Sequence, residues 1–205
     1  MPFSFLRRKK KRVSIPYETD VGRRVSSLGV CNHGEIRFLC TGVAGVGKSE
    51  ICRKYVGSQS EELEHLEQVF GTSVFVTVDG ILRQYDLEIF DVNLNDIESN
   101  IAHYKKRITT CDGFALVYSK ENKASYMKLV NLLSDIQHFT NGNMPIIVIG
   151  TSSEDEDRRF HKSKGDTLKL KQNHFEIIGQ NNEKIHNAFQ CLLDQCVARK
   201  DSRSK

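Results

Sequence analysis

One stretch of eight residues constrains this chain more than any other. Gly42-Val-Ala-Gly-Val-Gly47-Lys48-Ser49 fits the pattern G-x-x-x-x-G-K-[ST]. At average residue usage, a chance match in a chain of this length has a probability of roughly 0.7%, which makes the stretch a built feature rather than an accident. Before it runs Glu35-Ile-Arg-Phe-Leu-Cys40, which alternates and then turns fully apolar, as a strand entering a buried sheet does. After it a helix is predicted over residues 48–55. Strand, glycine loop and helix in that order make a cradle for phosphate oxygens. The glycines let backbone N–H groups turn inward, and the helix N-terminus adds its partial positive charge. The candidate phosphate-binding residues are therefore Gly42, Ala44, Gly45, Val46, Gly47, Lys48 and Ser49. Lys48 is the point charge for β- and γ-phosphates, and the Ser49 hydroxyl is a candidate ligand for Mg²⁺, a cation that takes oxygen donors.

The pattern of the remaining chain places this loop in a sheet. Residues 72–78 and 83–90 are β-rich, and Asp79-Gly80 between them signals a tight hairpin, so the two runs are expected to pair antiparallel. The second run ends in Asp86-Leu-Glu-Ile-Phe-Asp91, where the Asp91 carboxylate stands at a strand end and completes a candidate metal site with Ser49. Phe114-Ala-Leu-Val-Tyr-Ser119, Pro145-Ile-Ile-Val-Ile-Gly150 and residues 174–178 read as further strands. Tyr126, Leu129, Val130, Leu133 and Ile136 recur at helical steps, and Ile185, Ala188, Phe189, Leu192, Leu193, Cys196 and Val197 form a second stripe. Strands alternating with helices predict an α/β fold: a doubly wound, mostly parallel six-stranded sheet with helices on both faces. Glu61, Glu62, Glu64 and Glu67 surround Leu63, Leu66 and Phe70 at helical spacing, which predicts a short helix with an acidic solvated face, or a surface for a basic partner.

Charge and cysteine usage narrow the class. The chain has 205 residues, with Lys+Arg 30, Asp+Glu 26 and 39% hydrophobic residues, a composition expected of one soluble domain. Its longest uncharged apolar runs fall far short of the ~20 residues that span a bilayer. Residues 1–24 carry eight basic and two acidic side chains, and residues 199–205 carry four and one; residues 25–198 hold 18 and 23. An acidic body with basic ends argues against a nucleic-acid-binding fold, whose whole face is positive. Residues 1–32 are expected to be a disordered basic extension, residues 33–198 the folded domain, and residues 199–205 a short basic tail. Six cysteines without a Cys-x-x-Cys pair or ligand-spaced histidines predict reduced thiols and no zinc site.

The order of phosphate loop, antiparallel hairpin, strand ending in Asp91, Asp112-Gly-Phe-Ala-Leu-Val-Tyr-Ser119, and Ser125-Tyr126 opening a helix resembles a Ras-like small GTPase from about Glu35 to Ala198. The resemblance implies GTP and GDP as ligands, Mg²⁺ held by Ser49 and Asp91, and effector or regulator proteins as partners. It also implies residues for the base and for the water. In the family the strand-end Asp begins Asp-x-x-Gly-Gln, whose Gln orients the attacking water; here the segment is Asp91-Val-Asn-Leu94-Asn95, so Asn95 takes the catalytic place with a shorter side chain and Leu94 takes the glycine's. The guanine-reading Asn/Thr-Lys-x-Asp corresponds to Thr151-Ser152-Ser153-Glu154, which assigns Thr151 and Glu154 to the base and puts Ser152 where a lysine stem would stack. Ile178-Gly179-Gln180 replaces the Ser-Ala-Lys signature.

These departures predict a GTP-binding signalling switch or scaffold with weak or absent hydrolysis; the alternative is a pseudo-GTPase interaction module that needs no turnover. A monomer is expected. Residue 2 is Pro and the last five residues contain no cysteine, so no lipid anchor is expected. Phe3, Phe5 and Leu6 beside Arg7–Arg12 make residues 3–12 a candidate contact for an anionic membrane surface, or a nuclear signal, in an otherwise cytoplasmic protein. Ser14 and Ser26 follow paired basic residues, as basophilic-kinase sites do.

Overall fold

β1 (Asn32–Gly42) is buried on both faces from Phe38 onward, and its apolar side chains divide between two cores. Ile36, Phe38 and Cys40 point to one and Leu39 to the other, all fully buried, which is why the sequence here reads as a nearly continuous apolar run rather than a polar alternation. In this computed structural model, residues 32–57, 67–99, 101–140, 142, 144–153, 173–179 and 181–203 are described.

Around β1 the sheet is completed by β2 (Glu67–Val78), β3 (Ile81–Asn93), β4 (Gly113–Ser119), β5 (Ile146–Ser152) and β6 (His174–Ile178), in the order β2-β3-β1-β4-β5-β6. Only β2 and β3 pair antiparallel; the other pairings are parallel. The hairpin closes with Val78 opposite Ile81, leaving Asp79 and Gly80 as a two-residue turn. Both turn residues have positive φ, 51° and 78°, the backbone that an Asp-Gly pair accommodates and that matches the twist of the flanking strands.

Helices cover both faces. α1 (Lys48–Val56) and α5 (Asn182–Arg203) pack on the Phe38 side, with Ile51, Cys52 and Val56 meeting Phe189, Leu192 and Leu193 in one core. Tyr55 stacks on Phe189 with ring centroids 4.6 Å apart. On the Leu39 side lie α2 (Leu94–Ser99), α3 (Ile101–Thr110) and α4 (Lys123–Phe139), contributing Leu94, Tyr104, Ile108, Tyr126, Leu129 and Ile136 to the second core. α4 starts at Asn122, whose side chain accepts from the Ser125 N–H. The expected doubly wound, six-stranded architecture is the one observed.

Three details differ from the sequence reading. Glu67 and Phe70 belong to a strand, not a helix: β2 begins at Glu67, and Phe70 is buried opposite Ile89. Residues 58–66, which carry the other glutamates, lie outside the described residues. α2 and α3 fill a stretch for which no element was predicted. Finally, α5 runs to Arg203, so residues 199–203 continue the last helix instead of forming a separate tail. They are fixed by partners elsewhere: Lys200 Nζ lies 3.0 Å from an Asp112 carboxylate oxygen and 2.9 Å from the Glu35 carbonyl, and Asp201 pairs with Arg83 at 2.5 Å.

Candidate phosphate-binding site

The loop Gly42–Ser49 leaves the carboxyl end of β1 where the chain's connections depart toward opposite edges of the sheet, the position at which open α/β sheets bind ligands. Gly42 has no room for a side chain. A Cβ there would lie 2.1 Å from the carbonyl oxygen of Val117 on β4, a backbone atom that cannot swing away. Gly45 and Gly47 have φ of 79° and 86°, which bends the loop back over the start of α1. Gly47 is the N-cap of α1 and supplies no side-chain cap, so the first N–H groups of the helix keep their donors for an anion.

The polar side chains converge from one strand and the helix. Lys48 is buried, and its Nζ donates to the Val43 carbonyl at 2.9 Å, which holds the ammonium across the loop. Ser49, one residue into α1, donates its hydroxyl to the Asp91 carboxylate of β3 in a short hydrogen bond. Asp91 is itself buried. Burial pushes its carboxyl above the ordinary value, against the opposing pull of the Ser49 hydrogen bond and of the Lys48 and Arg53 charges. A hydroxyl and a carboxylate already in contact, in a buried setting that disfavours an isolated negative charge, suit a hard divalent cation that takes oxygen ligands. The donor set fits Mg²⁺, and the glycine backbone with the uncapped helix end fits a phosphate chain.

On the far side of the loop, Thr151 of β5 directs Oγ1 to the carbonyls of Val46, at 3.0 Å, and Tyr118, at 3.1 Å. This hydroxyl ties the loop to β4 and β5. Glu154 lies outside the described residues. Asn95 is exposed in α2, and its side-chain oxygen accepts from Lys128 Nζ of α4 at 3.0 Å. Its own N–H is held by the Asn93 side chain at 3.1 Å. Leu94 beside it is only 1% exposed and belongs to the second core with Val92, Tyr104 and Phe90. The structure thus gathers Gly42, Ala44, Gly45, Val46, Gly47, Lys48, Ser49 and Asp91 about one loop and ties Thr151 to it.

Two further side chains bear on these positions: Lys128 as the partner of Asn95, and Glu121 as the partner of Ser153 just after β5. Glu121 accepts from the Ser153 N–H at 2.7 Å and from the Ser153 hydroxyl. Neither pairing had a signal in the sequence, since both join residues about thirty positions apart.

A phosphate loop at the switch point of a six-stranded, mostly parallel sheet, with a carboxylate from β3 under it, defines a P-loop nucleotide-binding fold of the small G-domain class. The chain belongs to the Ras family, whose model matches residues 37–198. Among curated proteins it is similar to Ras-like protein rasU of Dictyostelium discoideum, 23% identical over 180 residues that cover 82% of this chain and 79% of that protein. Ras-like protein rasV of the same organism is 26% identical over 172 residues, 81% and 72% of the two chains. GTP-binding protein drn-1 of Caenorhabditis elegans is 23% identical over 181 residues, 82% and 78%.

Proposed function

We propose that this chain binds GTP and GDP together with Mg²⁺ and acts as a signalling switch or scaffold that hydrolyses GTP slowly or not at all. The observation that carries the reading is the meeting of Lys48, Ser49 and Asp91 under a loop whose glycines leave the backbone open to phosphate. In this reading the N–H groups of residues 44–49 and the Lys48 ammonium, released from the Val43 carbonyl, would hold the phosphates. Ser49 and Asp91 would hold Mg²⁺, which would neutralise charge on the phosphates. The base is assigned to Thr151 and Glu154, the residues that match the family's base-reading positions.

Slow turnover is supported by the segment after β3. Asn95 takes the place from which the attacking water is oriented, yet its side chain is engaged by Lys128 and its neighbour Leu94 is set in the core. A displacement of ~1 Å can lower a rate on the order of 10²-fold. The same observation favours a second reading, an interaction module that binds partners without turnover. Effector or regulator proteins are the partners either reading implies, and no direct contact with nucleic acid is expected of it. A monomer in the cytoplasm, reaching an anionic membrane surface through residues 3–12 or entering the nucleus, completes the proposal. No helix among the described residues is long and apolar enough to cross a membrane.

The test is to purify the protein in Mg²⁺, denature it and identify the released nucleotide by chromatography. Guanine nucleotide in wild type and none in Lys48→Ala supports the reading. A folded wild type that releases none, and binds none when millimolar GTP or GDP is added, leaves the interaction module.

A further inference from the structure

The edge strand β2 brings a further oxygen to the pair formed by Ser49 and Asp91. β2 and β3 run antiparallel with Gln68 directly opposite Asp91. Side chains two residues apart on a strand share a face. Phe70 and Ile89, opposite each other two positions along the same ladder, both lie in the core that α1 covers. Gln68 and Asp91 therefore stand on that face, the one from which Ser49 of α1 reaches the carboxylate. Residues directly opposite in an antiparallel pair hold their Cβ atoms about 4.5–5.5 Å apart, so a glutamine amide and an aspartate carboxylate there can address one point. The Gln68 side chain is partly exposed, yet its amide oxygen, Oε1, is sealed from solvent with no hydrogen-bond partner among the described residues.

A buried acceptor without a partner is costly, and neither neighbour can supply one. The single hydroxyl proton of Ser49 is already given to Asp91, and an ionised carboxylate only accepts. A hydroxyl oxygen, a carboxylate and an amide oxygen, brought together from α1, β3 and β2, are instead the donor types that a hard divalent cation takes. The amide suits this place for a second reason. Burial already disfavours the charge on Asp91, and a neutral oxygen adds a donor without adding another charge to be buried. We propose that Gln68 is a further ligand of the cation centre, presenting its amide oxygen to the Mg²⁺ that Ser49 and Asp91 would hold. The proposal rests on the nucleotide-binding reading above and adds a residue to its cation site.

Calorimetry of GDP binding to the full-length chain, in EDTA and at a series of Mg²⁺ concentrations, tests it on wild type, Gln68→Met and Gln68→Glu. Gln68→Met keeps the length of the side chain and loses the oxygen. Its GDP affinity in EDTA should equal that of wild type, which shows an intact phosphate loop. The Mg²⁺ concentration giving half of the gain in affinity should rise about 10–100-fold, the usual cost of disturbing a metal's immediate surroundings. Gln68→Glu puts an oxygen back, so its Mg²⁺ requirement should return to the wild-type value or fall below it. An unchanged Mg²⁺ requirement in Gln68→Met overturns the proposal, and so does a rise that Gln68→Glu fails to reverse. Weakened GDP binding by Gln68→Met in EDTA also overturns it, because Gln68 then supports the loop and not the cation. A folded wild type that binds no GDP removes the nucleotide reading itself, and the proposal with it, a result distinct from Mg²⁺-dependent binding that ignores Gln68.

Discussion

At single residues the site depends on contacts too close or too buried to tolerate substitution. Gly42 is the clearest, because the atom its side chain would strike is the Val117 carbonyl in the centre of the sheet. Overpacking of this kind costs about 1–3 kcal/mol, and a backbone obstacle puts Gly42→Ala at the upper end of that range. Denaturant unfolding should show a midpoint lowered accordingly, together with loss of nucleotide binding; a variant as stable as wild type would mean that the loop and β4 are further apart than described. This necessity was legible only in part. The motif marks Gly42 as part of the loop through its spacing to Lys48, but the reason glycine is needed there lies in Val117, seventy-five positions away. Lys48, Ser49 and Asp91 were legible as a set, because a strand-end carboxylate is the natural partner of the loop's hydroxyl. The role of Thr151 as a brace was not, since the carbonyls it bonds carry no residue-specific signature.

At the scale of elements the alternating apolar runs announced the strands, and β4 and β5 coincide closely with the stretches predicted for them. The hairpin was equally clear from Asp79-Gly80. β2 was misread at its start, because glutamates and leucines at helical spacing imitate an amphipathic helix where Phe70 in fact faces the core of a sheet. α3 was overlooked for the opposite reason: Tyr104 and Ile108 do lie four residues apart on its buried face, but Lys105, Lys106, Arg107, Thr109 and Thr110 dilute the stripe. Arg107 nonetheless packs its guanidinium over the Phe90 ring, 4.3 Å from the centroid, so one of the charges that hid the helix helps to seat it. α2 is the element on which the proposed slow turnover rests. Its first residue, Leu94, is sealed in the core, so moving the segment toward a phosphate exposes a leucine, against about 1.5–3 kcal/mol of burial free energy. Single-turnover hydrolysis on GTP-loaded protein should accordingly be no faster than that of an ordinary Ras-like protein assayed alongside. Replacing Asn95 by Gln and Lys128 by Ala, which lengthens the amide and removes its competing partner, should speed it. A faster wild type, or no gain in that variant, would contradict the role given to α2. Leu94→Gly should speed it further while lowering stability by about 2–5 kcal/mol, the usual range for truncating a buried leucine.

At the scale of the whole molecule, charge is distributed unevenly along the chain, with basic residues concentrated at its ends and an acidic excess between them. Part of the carboxyl-terminal charge is already used within the fold, since Lys200 reaches Asp112 and the Glu35 carbonyl. For the basic run Arg7–Arg12 the proposed partner is an anionic surface, at ~1 kcal/mol per basic side chain near the membrane. Binding to vesicles containing phosphatidylserine should fall as salt rises, because exposed charges are screened beyond about 8–10 Å. It should also be lost when residues 1–12 are removed; equal binding by the shortened protein would rule this contact out. The central claim, however, is that the loop between β1 and α1 holds a nucleotide through its phosphates with a divalent cation seated on Ser49 and Asp91. The measurement that tests it most directly is the affinity for GDP by calorimetry, with and without Mg²⁺, in wild type, Ser49→Ala and Lys48→Ala. The account predicts Mg²⁺-dependent binding in wild type, binding that no longer responds to Mg²⁺ in Ser49→Ala, and none in Lys48→Ala. Equal affinity in all three proteins, or a folded wild type that binds no GDP at millimolar concentration, would contradict it.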